Sequence, residues 1–446
     1  MSFLKAIFLL PGEKDKGLNK GLNKRHCTVK PKLSHSLNLS YFISKRISQG
    51  SSDNNRNRFS SIIHKIAVAS ITIGLSAAIV SFLIMKGFQE TVQNKIYGFS
   101  SHLIVSKFTM NNSMEEQPFS YNMNIYNHPE QLGVIDHIQE YSQKPGLIKT
   151  EDEVLGVVFK GVGKSFDLNR FRENIIKGEF IHFLDSGYAR EVVLSEIIAN
   201  KLKTKVGDDI IIHFFQNPPR IRKLKVVGIY ETNLYDYFDD KIVLGDIGMV
   251  QRLNDSVDSI AGGLEIYVKD VAKVDEALTT IGDSMDYDLY LEKVSDKYSQ
   301  VFEWLNLLSR QVNILLGIIL TVVSVNMISV ILILVMERTQ MIGLLKAMGA
   351  QNRLIQYVFV YNGINLIAKG LIYGNIIGLG LCYLQDTFKF IALNPHNYYM
   401  SYVPIGWNWE IVILLNVAVF VVVTLVLLLP TAIVTRISPI KAIRFD

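Results

Sequence analysis

Residues 66 to 85, IAVASITIGLSAAIVSFLIM, contain no charged side chain. A run of that length matches the roughly twenty apolar residues that carry a helix across the hydrocarbon core of a bilayer, where every backbone polar group must be satisfied within the segment. Three more runs of spanning length follow at 312 to 336, 357 to 384 and 411 to 429. The 49% hydrophobic content and the mean hydropathy of +0.23 are concentrated in them. Uncharged runs this long are rare in soluble cores. The fold class expected is therefore an α-helical membrane protein with four transmembrane helices.

Basic residues orient the chain. Residues 1 to 65 carry Lys14, Lys16, Lys20, Lys24, Arg25, Lys30, Lys32, Lys45, Arg46, Arg56, Arg58 and Lys65 against Glu13, Asp15 and Asp53. This imbalance places that end in the cytoplasm. Four crossings return the basic C-terminal TRISPIKAIRFD to the same side, together with Arg338, Lys346 and Arg353. The net charge of +5 thus reports orientation, and no aromatic-interleaved basic patch accompanies it to suggest nucleic acid. The division expected is a basic cytoplasmic arm at 1–60, membrane helices at 61–87, 306–336, 354–385 and 409–431, an outer loop at 386–408 and cytoplasmic stretches at 337–353 and 432–446. The arm holds a tandem GLNKGLNK at 17 to 24 and an amphipathic LNLSYFISKRI at 37 to 47 suited to a membrane surface.

Residues 88–305 lie between the first and second spans, on the outer side by this orientation. Short runs rich in Val, Ile, Phe and Tyr at 101–106, 154–162, 191–195, 209–215, 222–230, 241–245 and 263–268 predict strands. Helical periodicity at 195–203, with Ser195 as N-cap, and at 270–282 predicts helices. The block is expected to be a large α+β domain. QNPPRIR, between two of its strands, must be a turn, since Pro218 and Pro219 have no N–H to donate.

Catalytic machinery is not visible. GVGKS at 161 to 165 ends like a phosphate-binding loop, but Val158 stands where the motif needs its first glycine, and ATP is scarce outside the cell. HExxH, CxxC and GxSxG are absent, the nine histidines are scattered, and Cys27 and Cys382 are too far apart in topology to pair. The acidic groups EDE (151–153) and DYFDD (236–240) read as solvated charge runs rather than metal sites. No cofactor is expected to bind this chain.

Three features of the membrane part call for explanation. In MERTQMIGLLKAMGAQ (336–351), Met341, Leu344, Leu345 and Met348 recur at one helical face and Gly349 is placed to end the helix. So short an amphipathic helix must rest on lipid or dock into a partner's groove, and the spacing leaves both open. Ser70, Gly74, Ala77, Ala78 and Ser81 give the first span a small-residue surface for lipid chains or a second protomer, with ordinary packing as the alternative; Gly370, Gly374 and Gly378 form a second such face in the third span, read as helix packing. Lys369 lies inside the third apolar run, where its amine either reaches the cytoplasmic interface or has an ion-pair partner. Tyr398, Tyr399, Tyr402, Trp407 and Trp409 precede the fourth span as an aromatic belt.

The order of one span, a large exported domain and three further spans, with ERTQMIGLLKAMGA after the second span and SPIKAIR at the C-terminus, resembles the FtsX/MacB superfamily of ABC-transporter permeases. Residues 58 to 105 are most similar to its lipoprotein-releasing LolC/LolE-type branch. The resemblance implies a MacB-like periplasmic core joined to an FtsX-like permease domain. It implies that Glu337, Arg338, Met341, Leu344, Leu345, Lys346, Met348 and Gly349 form a coupling helix docked on a separate cytoplasmic ATPase dimer, which uses ATP and Mg. It further implies a second permease protomer, identical or not, and a lipoprotein substrate whose acyl chains sit between the first and second spans. The setting implied is the inner membrane of a Gram-negative bacterium. One departure stands out: QNPPRI replaces the extended hook that recruits a periplasmic lipoprotein carrier in such proteins, leaving NLYDYFDD (233–240) as an alternative docking surface. The competing class is an FtsX-like permease that activates cell-wall hydrolases, whose exported domain is typically about half this size.

Overall fold

The computed structural model describes residues 55–108, 117–149, 153–256 and 259–433, so residues 1–54 of the N-terminal arm, most of EDE and the C-terminal SPIKAIR lie outside the described residues. Among the described residues, four helices are long and apolar enough to cross a membrane. They run Asn55–Ser100, Ser299–Glu337, Asn352–Phe388 and Trp409–Ile433. The first two extend well past their apolar runs, and a β-rich domain lies between them in the chain. The first ends where Ser101 adopts a left-handed conformation (φ 63°) and turns the chain into the first strand.

Glycine decides how the bundle packs. A Cβ at Gly370 would lie 2.6 Å from the Ile71 side chain, one at Gly374 3.0 Å from Leu75, and one at Gly378 3.1 Å from the Ser76 backbone. The third helix therefore lies directly on the first, as a small-xxx-small face allows. Gly74 receives Val323 of the second helix in the same way, and Ala78 is buried beside it. Ser70 is half-buried, Ala77 is exposed and Ser81 lies higher, so the small residues of the first helix do not form one surface. Asn375 and Asn416 join the third and fourth helices by reciprocal amide hydrogen bonds of 2.7 and 2.9 Å, and each also donates to the carbonyl four residues before it.

Ten strands build the main sheet of the domain between the first two long helices: β1 (Leu103–Lys107), β2 (Ile135–Lys149), β3 (Val154–Val162), β4 (Ile175–Gly178), β5 (Glu191–Ser195), β6 (Asp209–Phe214), β7 (Arg220–Tyr230), β8 (Ile242–Asp246), β9 (Gly263–Val268) and β10 (Leu289–Lys293). Their order is β10-β1-β9-β2-β3-β8-β5-β7-β4, with β6 pairing both β2 and β7. Six strands (β2, β3, β8, β5, β7 and β6) thus close into a ring whose interior holds Phe159, Phe214, Leu194, Val226 and Val243. β9, β1 and β10 form a wing beside it, packed on the helix Val274–Gly282 through Leu103, Leu264, Ile266 and Ile281. Ser195 caps the helix Glu196–Leu202 by accepting from Ile198 N–H at 3.1 Å.

The central strand β2 was not visible as a run of alternating apolar residues. Its buried side chains include Gln139, Glu140, Ser142 and Lys144, and it contains Pro145 and Gly146. Proline is tolerated there because β2 changes partner at that point, from β9 up to Tyr141 to β6 from Gly146.

Candidate functional site

Three places in the molecule join what the chemistry of the parts would keep separate. The first is the segment after the second helix. Thr339–Ala347 forms a helix, and Gly349 (φ 89°) ends it, its N–H donating to the Lys346 carbonyl at 3.0 Å. Ile342 and Gly343 are buried and Leu345 packs on the bundle, while Leu344 is 58% and Met348 69% exposed. The predicted apolar stripe is thus split: one edge seats the helix on its own bundle and the other faces away. Ile342, which holds the helix down, was missed because it lies outside the stripe. Met341, Lys346 and Arg338 are half-buried and Glu337 is exposed.

The second place is an apolar cavity of about 420 Å³ between the first two long helices, just beneath the outer domain. Val80, Ser81 and Ile84 line it from one helix, Leu308, Val312 and Leu315 from the other, and Val403 and Pro404 of the outer loop roof it. Of the small residues singled out in the first span, Ser81 alone reaches this cavity. The roof is held by a backbone-to-backbone contact: Gly406 N–H donates to Leu83 carbonyl at 2.9 Å, and a Cβ at Gly87 would sit 2.5 Å from Gly406 N. Trp407 Nε1 donates to Asp386 at 2.9 Å on the loop's other flank and stacks with Trp409.

The third is the junction of the first helix with the domain. Phe88, Val92, Ile96 and Phe99 share a core with Tyr230, Leu234, Phe238, Val301 and Met400, and Phe99 stacks on Phe238 at 4.2 Å. Lys95 Nζ donates to the carbonyls of Thr232 (2.9 Å) and Tyr399 (2.8 Å), tying helix, domain and outer loop together. Asp239 is buried and accepts from Thr232 Oγ1 at 2.7 Å, and burial raises its pKa despite those bonds. DYFDD is therefore not the wholly solvated run expected: Asp236 is exposed and Asp240 is half-buried and paired with Lys201, but Leu234, Phe238 and Asp239 are inside the junction.

Above the helix end lies a buried polar knot. Lys160 Nζ donates to Glu265 at 2.6 Å and to the Phe99 carbonyl at 3.0 Å, and Gln139 Nε2 donates to the other Glu265 oxygen at 2.7 Å. GVGKS serves the domain's architecture nearby. Ser165 and Tyr126 donate their hydroxyls to Glu140, whose carboxylate occupies the space a Cβ at Gly163 would need. Among the described residues, no group of three His, Cys, Asp or Glu side chains converges as metal ligands would.

Residues 66–283 match the family model of the MacB-like periplasmic core domain, and residues 313–439 match the FtsX-like permease C-terminal model. The chain belongs to the FtsX/MacB superfamily of ABC-transporter permeases. Within the superfamily, this permease is 23% identical over 354 residues to the lipoprotein-releasing system transmembrane protein LolC of Buchnera aphidicola, an alignment covering 75% of this chain and 82% of that one. It is 21% identical over 425 residues to LolE of Haemophilus influenzae, covering 91% and 99%. The periplasmic region of MacB from Actinobacillus actinomycetemcomitans covers 48% of this permease and 98% of that structure, with 13% identity and a TM-score of 0.33.

Proposed function

We propose that this permease is the transmembrane subunit of an ABC transporter that extracts lipoproteins from the outer leaflet of the inner membrane for transfer to the outer membrane. The observation that carries the reading is the apolar cavity between the first and second long helices: its lining suits acyl chains, and its place beneath the domain suits handover outward. The relatives named for lipoprotein release support it. In this reading both termini are cytoplasmic, the β-rich domain is periplasmic and inserted between the first and second spans, and two protomers pair. A separate ATPase dimer uses ATP and Mg, and this chain does no chemistry of its own. Leu344 and Met348 supply the exposed apolar edge on which that ATPase docks. ATP-driven closure is passed from there through the helices to the cavity and its roof.

The test is purification of the tagged protein from its native membrane in mild detergent, with mass spectrometry of what stays bound. An ATPase and acylated lipoproteins are expected. Leu344→Asp should lose the ATPase and leave the fold intact, since that side chain faces outward; Val312→Glu, in the cavity wall, should lose the lipoproteins and keep the ATPase. Recovery of a cell-wall hydrolase without lipoproteins would replace this reading with the signalling one, and absence of any ATPase would end the permease reading altogether.

A further inference from the structure

Lys369 is the single Asp, Glu, Lys or Arg within the four apolar runs. Ionisable groups at membrane depth ordinarily face the bundle interior and pair there. Lys369 does the opposite. It lies on the outward face of the third helix, with the buried Gly370, Leu366 and Ile367 turned toward the other helices. Among the described residues no carboxylate pairs with it, and an ammonium in that position is open to a partner from its surroundings.

Its depth says what the partner is. Asp386, bonded to Trp407 in the outer aromatic girdle, lies about 25 Å along the same helix at 1.5 Å per residue. A hydrocarbon core of about 30 Å measured inward from that girdle ends about 5 Å beyond Lys369 on the cytoplasmic side. The lysine's four-carbon stem covers that distance, so its amine emerges among the headgroups of the inner leaflet. Asn365 and Tyr361 occupy the next two turns toward the cytoplasm at four-residue spacing, adding an amide and a hydroxyl to the same stripe. Cation, amide and hydroxyl without a carboxylate form a donor set for a phosphodiester. A protein partner would instead have to bring a second desolvated charge into the membrane, at further cost.

We propose that Lys369, with Asn365 and Tyr361, binds the headgroup of an anionic phospholipid of the inner leaflet. The site is a property of the third helix in a bilayer. It rests on the membrane reading of that helix and not on lipoprotein release.

The test uses the full chain, purified alone and reconstituted in vesicles of phosphatidylcholine containing a minor fraction of spin-labelled phosphatidylglycerol, with spin-labelled phosphatidylcholine as the comparison. The motionally restricted fraction of each label gives the relative affinity. Wild type and Lys369→Arg should prefer the anionic label, and Lys369→Leu should lose about fivefold of that preference, the ratio corresponding to about 1 kcal/mol per basic side chain at an anionic surface. Equal preference in wild type and Lys369→Leu overturns the proposal, as does equal loss in both variants, which would show that charge is not what holds the lipid. Lys369 is exposed and its replacement leaves no cavity, so an unchanged Tm in all three proteins keeps folding out of the comparison.

Discussion

The membrane bundle and the outer domain are stabilised by opposite means. Where the third helix lies on the first, the contact is made mainly by removing atoms: Gly370, Gly374 and Gly378 let the two helices meet closely, and a single buried hydroxyl, Thr72 Oγ1, donates to the Gly370 carbonyl at 3.3 Å. Lipid is as apolar as leucine, so the bundle gains nothing from hydrophobic exclusion between helices and depends on close van der Waals approach. The domain works in water, and its barrel is sealed by apolar side chains, yet beside its apolar junction with the first helix it holds the polar knot of Lys160, Glu265 and Gln139, all nearly fully buried, from which Lys160 reaches the Phe99 carbonyl. A buried charge pair is poor value as stabilisation, but it is exacting about geometry once formed. The difference teaches that volume governs the lower half and polar completeness the upper half.

The largest effect should come from breaking the polar knot on one side. Lys160→Met leaves Glu265 buried and Phe99 carbonyl without its donor, and should destabilise the domain by about 3–5 kcal/mol. The double variant Lys160→Met with Glu265→Leu should recover much of that loss. Thermal unfolding followed by circular dichroism measures both, and a double variant as unstable as the single one would show that the knot contributes as a pair.

A smaller effect separates the halves by pH. Burial, reinforced by Arg170, pushes the His102 pKa down to about 4, and its Nδ1 accepts from Val268 N–H at 3.0 Å, so the native state holds it neutral. Because the unfolded state binds the proton first, the stability this group provides is fully present above pH 6.5 and is lost as pH falls toward 4, by on the order of 3 kcal/mol. His102→Gln should flatten that part of the domain's pH profile. The helix bundle, followed separately by cysteine cross-linking of the first and third helices, should show no such dependence.

The smallest of the three tests volume. Gly374→Leu forces a side chain into Leu75 and should cost about 1–3 kcal/mol. The same change at Gly380, where a Cβ meets nothing within 4 Å, should be neutral. Equal losses at both positions, measured as Tm in detergent, would mean that glycine matters here for helix flexibility rather than for close approach.

Much of this was legible in the sequence, because length and apolarity alone define the four long helices, and β3, β5 and β9 alternate or run apolar as strands should. β2 was hidden because polar residues are buried among its apolar ones, Gln139 finding its partners on β9 and in the loop after β3. The cavity was hidden for another reason. Ser81, Val312 and Pro404 belong to three distant segments, and nothing in the spacing of any one of them anticipates that they meet. In the short helix Thr339–Ala347, periodicity found the apolar edge but not which half of it faces inward, since period alone does not say which side the bundle lies on.

The unbroken course of the first helix carries a mechanical consequence. At 46 residues it is a rod of about 69 Å, clamped near its middle by glycine contacts and fastened at its far end by Lys95 and the Phe99 carbonyl. Such a rod is a lever. A tilt of about 5° about one end displaces the other by about 6 Å, and because the barrel it carries is a closed ring that cannot shear along an edge, the barrel must swing as one body, drawing the cavity's roof with it.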